Sequence, residues 1–134
     1  MKAKLFRVIV PVNDIERAAA FYQAVLVDPG RRVSPGRHYF DCDGTILACF
    51  DPAADGDAHE SQPNPEWLYL AVDDLEASLD ACRAAGATFG PGTIHGAPAA
   101  EIVLRPWGER SFYVHDPFHN KLCFVDRSTM FTGE

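Results

Sequence analysis

Apolar and polar residues alternate from Leu5 to Val12, with Phe6, Val8, Val10 and Val12 on one face of an extended segment and Leu5, Arg7, Ile9 and Pro11 on the other. The period then changes. Ile15, Ala18, Ala19, Tyr22, Val25 and Leu26 recur at helical spacing and predict a helix with one apolar stripe, capped by Asn13 or Asp14 and ended by Asp28-Pro29-Gly30. Three short extended pieces follow, at 31–34, 38–42 and 45–50, separated by Pro35-Gly36 and by Asp43-Gly44, a strong hairpin signal. The order is β-α-β-β-β.

From Asp51 to Pro65 the chain is rich in Asp, Ala and Pro and lacks periodicity, which predicts an exposed linker. After it the pattern restarts. Trp67 to Val72 alternates, with Leu68, Leu70 and Val72 against Trp67, Tyr69 and Ala71, and a helix runs from Asp73 or Asp74 to a terminal Gly86. Pro11-Val12-Asn13-Asp14-Ile15-Glu16 lies beside Ala71-Val72-Asp73-Asp74-Leu75-Glu76, and this match marks an internal duplication.

Beyond Gly86 the register is harder to follow, because Gly90-Pro91-Gly92 and Gly96-Ala97-Pro98 interrupt extended pieces near Thr93 and at 102–104. The end is clear. Ser111 to His115 and Lys121 to Val125 read as an antiparallel hairpin around Asp116-Pro117-Phe118-His119-Asn120. Phe112, Val114, Leu122 and Phe124 share its apolar face, and Ser111, Tyr113, His115, Lys121, Cys123 and Val125 its mixed face. The expected fold is α+β: two tandem βαβββ modules, about 1–52 and 66–134 with a linker at 53–65, forming a cupped mixed sheet with helices on the outer face. Parity then leaves Arg7, Trp67 and Tyr69 on the face away from the helices.

A chain of 134 residues suits one domain and can bury a sizeable core. A net charge of -7 with scattered basic residues argues against nucleic acid or an anionic membrane surface as partner. No apolar run reaches spanning length and no secretory pattern opens the chain, so a cytoplasmic location is expected. Cys42, Cys49, Cys82 and Cys123 lie far apart with no C-x-x-C pair, and reduced thiols follow.

The duplicated V-N-D-I-E-R-A-A-A-F-Y and V-D-D-L-E-A-S-L, the R-P-W-G-E-R run from Arg105 to Arg110, and F-Y-V-H-D-P-F-H-N-K-L-C-F-V-D together resemble the glyoxalase, bleomycin-resistance and extradiol dioxygenase superfamily, also called vicinal oxygen chelate. The resemblance implies paired βαβββ modules, usually in a homodimer, with a site in the cup. In the family's metal enzymes the first and last strand of each module supply the ligands. The first-strand positions here are Arg7 and Trp67, and the last-strand positions are Cys123 and either Ala48 or Cys49. A protonated guanidinium repels a cation and an indole N–H offers no lone pair, so no metal cofactor is expected, a divalent metal being the alternative. His119 stands where relatives carry Gly in the turn.

Each candidate has a plain alternative. Arg7 could snorkel from a strand edge or anchor a ligand oxygen, and Trp67, Tyr69 and Tyr113 could be core or could line the cup. Trp107, at a Pro-Trp-Gly turn, could be a lid or a dimer contact. Cys123 and Cys49 fit small buried hydrophobes, although His115 shares the face of Cys123 and makes a thiol–imidazole pair worth testing. The leading expectation is a metal-free protein that sequesters a planar or aromatic small molecule, with Arg7, Trp67, Tyr69, Tyr113, Cys49 and Trp107 as ligand contacts. The alternatives are a lyase, isomerase or oxidoreductase of this fold using non-standard metal ligands or Cys123 and His115, and a dimerising interaction module with a filled cup.

Overall fold

A computed structural model describes Met1–Glu134 as an α+β chain that divides into two compact units, Met1–Asn64 and Pro65–Glu134. Each unit holds a mixed four-stranded sheet and one helix. No helix is long and apolar enough to cross a membrane.

The first unit is β1 (Arg7–Pro11), α1 (Ile15–Leu26), β2 (Arg31–Ser34), β3 (Arg37–Cys42) and β4 (Thr45–Phe50). β1 lies parallel to β4, and the sheet order is β1-β4-β3-β2. Asp14 caps α1 by accepting from the Arg17 amide at 3.1 Å, a contact worth about 1 kcal/mol. The apolar stripe of α1 covers one sheet face, where Tyr22 packs at 6.1 Å from Phe40 and Val10, Leu47 and Cys49 are buried. Residues paired across strands share a face, so Arg7, Ile9, Tyr39 and Ala48 occupy the other one. The Asp43-Gly44 turn has positive φ at both positions, as a two-residue hairpin of this twist requires.

The second unit is β5 (Leu68–Val72), α2 (Leu75–Ala85), β6 (Thr93–Ile94), β7 (Ala97–Pro98), β8 (Val103–Leu104), β9 (Arg110–His115) and β10 (Lys121–Asp126). Its sheet order is β5-β10-β9-β8, and β5 runs parallel to β10 as β1 does to β4. Asp74 caps α2 through the Ala77 amide at 3.0 Å, and Gly86 ends it in the left-handed region. Under α2 the apolar face of the last hairpin is buried, with Phe112 and Phe124 stacked at 5.1 Å. The two cap residues, Asp14 and Asp74, mark the duplicated strand–helix junction.

Three local features depart from the periodicity. Phe6 shares the parity of Val10 but is 55% exposed, because it precedes β1, and the Arg7 guanidinium lies over its ring at 5.0 Å. The predicted linker is docked at its start: Asp51 and Pro52 are buried, residues 53–55 form a 3-10 turn, and Asp55 accepts from Ser34 Oγ and the Gly36 amide. Gly36 is needed there, since a Cβ would stand 2.2 Å from the Asp51 carbonyl oxygen. In the second unit Gly96-Ala97-Pro98 does not merely interrupt the sheet. Ala97–Pro98 pairs with Thr93–Ile94 in a small hairpin whose turn, His95-Gly96, has positive φ at both residues.

Candidate functional site

On the first module Arg7 is exposed on the sheet face away from α1, beside Tyr39. Arg7 and Arg37 both donate toward the Tyr39 hydroxyl, at 3.5 and 3.2 Å, and Arg37 also meets Asp55. Cys49 lies on the opposite, helix-covered face and is fully buried. The structure does not bring Arg7 and Cys49 together. It also answers the register question: Cys123 pairs with Tyr69, and the equivalent pair in the first module is Ala48 with Ile9.

On the second module the mixed face carries Trp67, Tyr69, Tyr113 and Cys123 together. Tyr113, Cys123 and Val125 are buried there, with Trp67, Ile94 and Ala99 packed against them. Trp67 meets the Tyr113 ring edge-on at 4.9 Å, and Tyr69 meets it at 6.4 Å. Arg105 closes this end. Only 2% exposed, it donates to Ser111 Oγ and to the carbonyls of Pro98, Ala99, Glu101 and Ser111, with its guanidinium over the Tyr113 ring. Loss of water lowers its pKa, yet no carboxylate is paired with it.

The same face is open beside Arg105, near Ala71 and Val125 of β5 and β10. A cleft of about 320 Å3 is lined by Tyr69, Ala71 and Val125 from β5 and β10 and by Trp107, Glu109, Met130 and Phe131 from the flanking turn and C-terminal segment. Trp107 and Glu109 are placed by the turn between β8 and β9, where the Gly108 amide donates to Arg105 O and Gly108 adopts φ 95°. The Trp107 ring is held from two sides. His95 packs edge-on at 5.3 Å, and the indole N–H donates to Glu109 Oε1 at 2.7 Å. The other Glu109 oxygen accepts from the Phe131 amide at 2.8 Å, which secures the C-terminal segment along the rim. Tyr69 and Phe131 remain about half exposed, so the aromatic walls are available to a ligand.

Of the residues singled out from the sequence, Tyr69 and Trp107 line this cleft, while the buried Tyr113 and the partly buried Trp67 do not. Glu109, Met130, Phe131 and Arg105 had not been singled out. The R-P-W-G-E-R run held the signal for Glu109, since a Pro-Trp-Gly turn followed by an acidic residue sets an indole beside a carboxylate.

Burial works against nucleophilic attack by the Cys123 thiol. Burial pushes the Cys123 thiol up to about 12, although hydrogen bonds from Tyr113 and Ser111 and the Arg105 charge oppose this. A thiol this far above neutrality stays protonated. Burial also lifts the Tyr113 phenol, and Cys82 rises to about 12 for the same reason. His115 packs on Trp67 at 5.5 Å, and burial followed by the Lys121 charge lowers its pKa.

The four family ligand positions of this chain do not fit a metal. Arg7 and Trp67 have no lone pair to give and Ala48 has no donor atom, which leaves Cys123 as a single donor where a stable site wants three or four. No group of three or more His, Cys, Asp or Glu side chains converges elsewhere.

Two strand–helix–three-strand modules, each with its first strand parallel to its last, define a duplicated βαβββ protein. The profile of the Glyoxalase/Bleomycin resistance protein/Dioxygenase superfamily matches residues 4–124, and the chain belongs to that superfamily. Among solved structures, a glyoxalase/bleomycin resistance protein from Albidiferax ferrireducens T118 is 26% identical, with TM-score 0.68, over 91% of this chain and 98% of that one. A glyoxalase-related enzyme from Fulvimarina pelagi is 20% identical, with TM-score 0.71, over 97% and 92%. A lactoylglutathione lyase from Agrobacterium tumefaciens is 18% identical, with TM-score 0.67, over 93% and 94%. The last two show the fold alone. Among curated proteins none matches.

Proposed function

We propose that this protein binds a planar aromatic small molecule in the cleft of its second module and holds it without a metal and without turnover. The observation that carries this reading is the cleft itself: Tyr69, Trp107 and Phe131 present aromatic surface, and Met130 and Val125 add apolar lining. Apolar walls with one polar group are the usual build of a small-molecule site, and about 320 Å3 is at the small end of the range. A single fused ring system fits that space. Stacking and edge contacts on such walls contribute about 0.5–1.5 kcal/mol per aromatic pair beyond burial.

The absence of an activated nucleophile at Cys123, and of more than one metal donor among Arg7, Trp67, Ala48 and Cys123, supports binding over chemistry. Arg7, on the first module, does not line this cleft and has no part in the reading. A homodimer in the cytoplasm is part of the same proposal, supported by the superfamily membership and by the acidic, span-free chain.

The test is calorimetric titration of chelator-stripped protein with a panel of planar heteroaromatic compounds, with mass spectrometry of the recovered compound. Saturable binding of unchanged compound, weakened at least about tenfold by Trp107→Ala, is expected. A large and specific thermal stabilisation by Zn, Ni, Mn or Fe(II), or conversion of a compound, would overturn the proposal.

A further inference from the structure

Glu109 is 8% exposed, borders the cleft, and is paired with no cation. Its two contacts are both neutral donors, the Trp107 indole and the Phe131 amide. The neighbouring arginines are committed elsewhere: Arg105 to Ser111 and backbone carbonyls, and Arg110 to Glu76 and Asp126. A largely desolvated carboxylate without a counter-charge is costly, and a positive charge brought into the cleft would remove that cost. Each carboxylate oxygen keeps a lone pair beyond the bond it accepts.

The walls point the same way. Aromatic faces attract cations, most strongly when water is excluded, and Tyr69, Trp107 and Phe131 border the same space as the carboxylate. The chain's net charge of -7 adds a long-range field of matching sign. Resting on the cleft-binding reading above, we infer that the ligand is a cationic planar aromatic, a ring system bearing a quaternary or protonated nitrogen, with Glu109 as its counter-charge. A clamp for Trp107 and the C-terminal segment would use the same two hydrogen bonds but would show no preference for ligand charge.

The test compares 10-methylacridinium with acridine by fluorescence titration at neutral pH, where the two differ in charge and one methyl group. The expected result is at least about tenfold tighter binding of 10-methylacridinium at low salt, shrinking as salt is added. Glu109→Gln should bring the two affinities close together. Because that variant places an amide against the Phe131 N–H and can loosen the rim, Met130→Lys is run beside it. A lysine on the rim should lower the ratio of the two affinities several-fold.

If acridine binds as tightly as 10-methylacridinium to the unaltered protein, the charge inference falls while the cleft reading stands. If neither binds, the cleft reading falls and takes the inference with it. A folded Glu109→Gln protein that keeps the full preference, or a Met130→Lys protein with an unchanged ratio, would also overturn the assignment of the charge to this cleft.

Discussion

The guanidinium carbon of Arg105 lies 5.0 Å from the centre of the Tyr113 ring, in a part of the second module where no carboxylate meets its charge. The residue binds the 93–105 segment to the sheet, because it collects the Pro98, Ala99 and Glu101 carbonyls on one side and Ser111 on the other. Arg105→Met fills similar volume but leaves buried acceptors unpaired, and should cost roughly 3–5 kcal/mol in a urea unfolding experiment. Arg105→Lys keeps the charge but not the planar fork, and should recover less than about half of that loss. A loss under about 1 kcal/mol for Arg105→Met would show that the segment holds without it.

His119 sits at φ 71° in the Asp116–Asn120 turn, so the position where relatives carry Gly does demand the left-handed region here. The turn is fixed by other means. Asp116 and Asn120 are buried, Asp116 Oδ1 accepts from the Phe118 and Asn120 amides at 2.8 Å, and Oδ2 accepts from Asn120 Nδ2 at 2.9 Å. An L residue in that region costs about 1–2 kcal/mol, of which glycine's extra freedom in the unfolded chain returns part. His119→Gly should therefore stabilise the protein by roughly 0.5–1 kcal/mol and raise Tm by a few degrees. A fall in Tm would mean that the exposed His119 ring makes a contact of its own.

The regular elements were legible because burial imposes a period. Val10 and Val12, Ile15, Ala18, Ala19, Tyr22 and Val25, and Phe112, Val114, Leu122 and Phe124 lie in the core on the faces their spacing indicates, while Phe21, off the expected stripe, is buried too and Leu26, on it, is only partly covered. The cleft was legible only where a strand supplied it. Tyr69 follows from alternation, and Trp107 from its turn, whereas Glu109, Met130 and Phe131 come from a turn and from a segment after β10 that carry no period. The mixed face of the last hairpin has an unforeseen cover for a related reason. Residues 90–99 are rich in Gly, Pro and Ala, and the order of the segment up to Arg105 comes from that arginine and from the short hairpin, not from a repeating pattern.

The thiols should differ in reactivity according to their burial. Cys49, Cys82 and Cys123 are fully buried, and the last two are pushed up to about 12, so an aromatic disulfide reagent should leave them untouched in the folded protein at mild alkaline pH. Cys42 is less buried. Its thiol is raised by burial and by Asp41 and Asp28, so it should react slowly and first. All four cysteines should react once the chain is unfolded in denaturant. Rapid labelling of Cys123 in the folded state would revive the nucleophile reading, and Cys123→Ala would then be expected to remove an activity instead of only some stability.

Acid should weaken the second module in two steps. Burial, then the Lys121 charge, holds His115 below its ordinary value of 6.5, so the unfolded chain takes up that proton more readily than the folded one. The stabilisation is complete above 6.5 and is lost as pH falls through the lower, folded-state value. Glu76 is lowered by its hydrogen bond from Arg110, and Asp126 by its bonds from Ser128 and then Arg110; their contributions are present above ordinary carboxylate values and disappear at lower pH still. Urea midpoints measured from neutrality down to acid should therefore decline first through the histidine range. His115→Gln should flatten that first decline and leave the later one, whereas Arg110→Met should reduce the later one and leave the first. If His115→Gln leaves the slope between neutrality and about pH 5 unchanged, another histidine carries the first step.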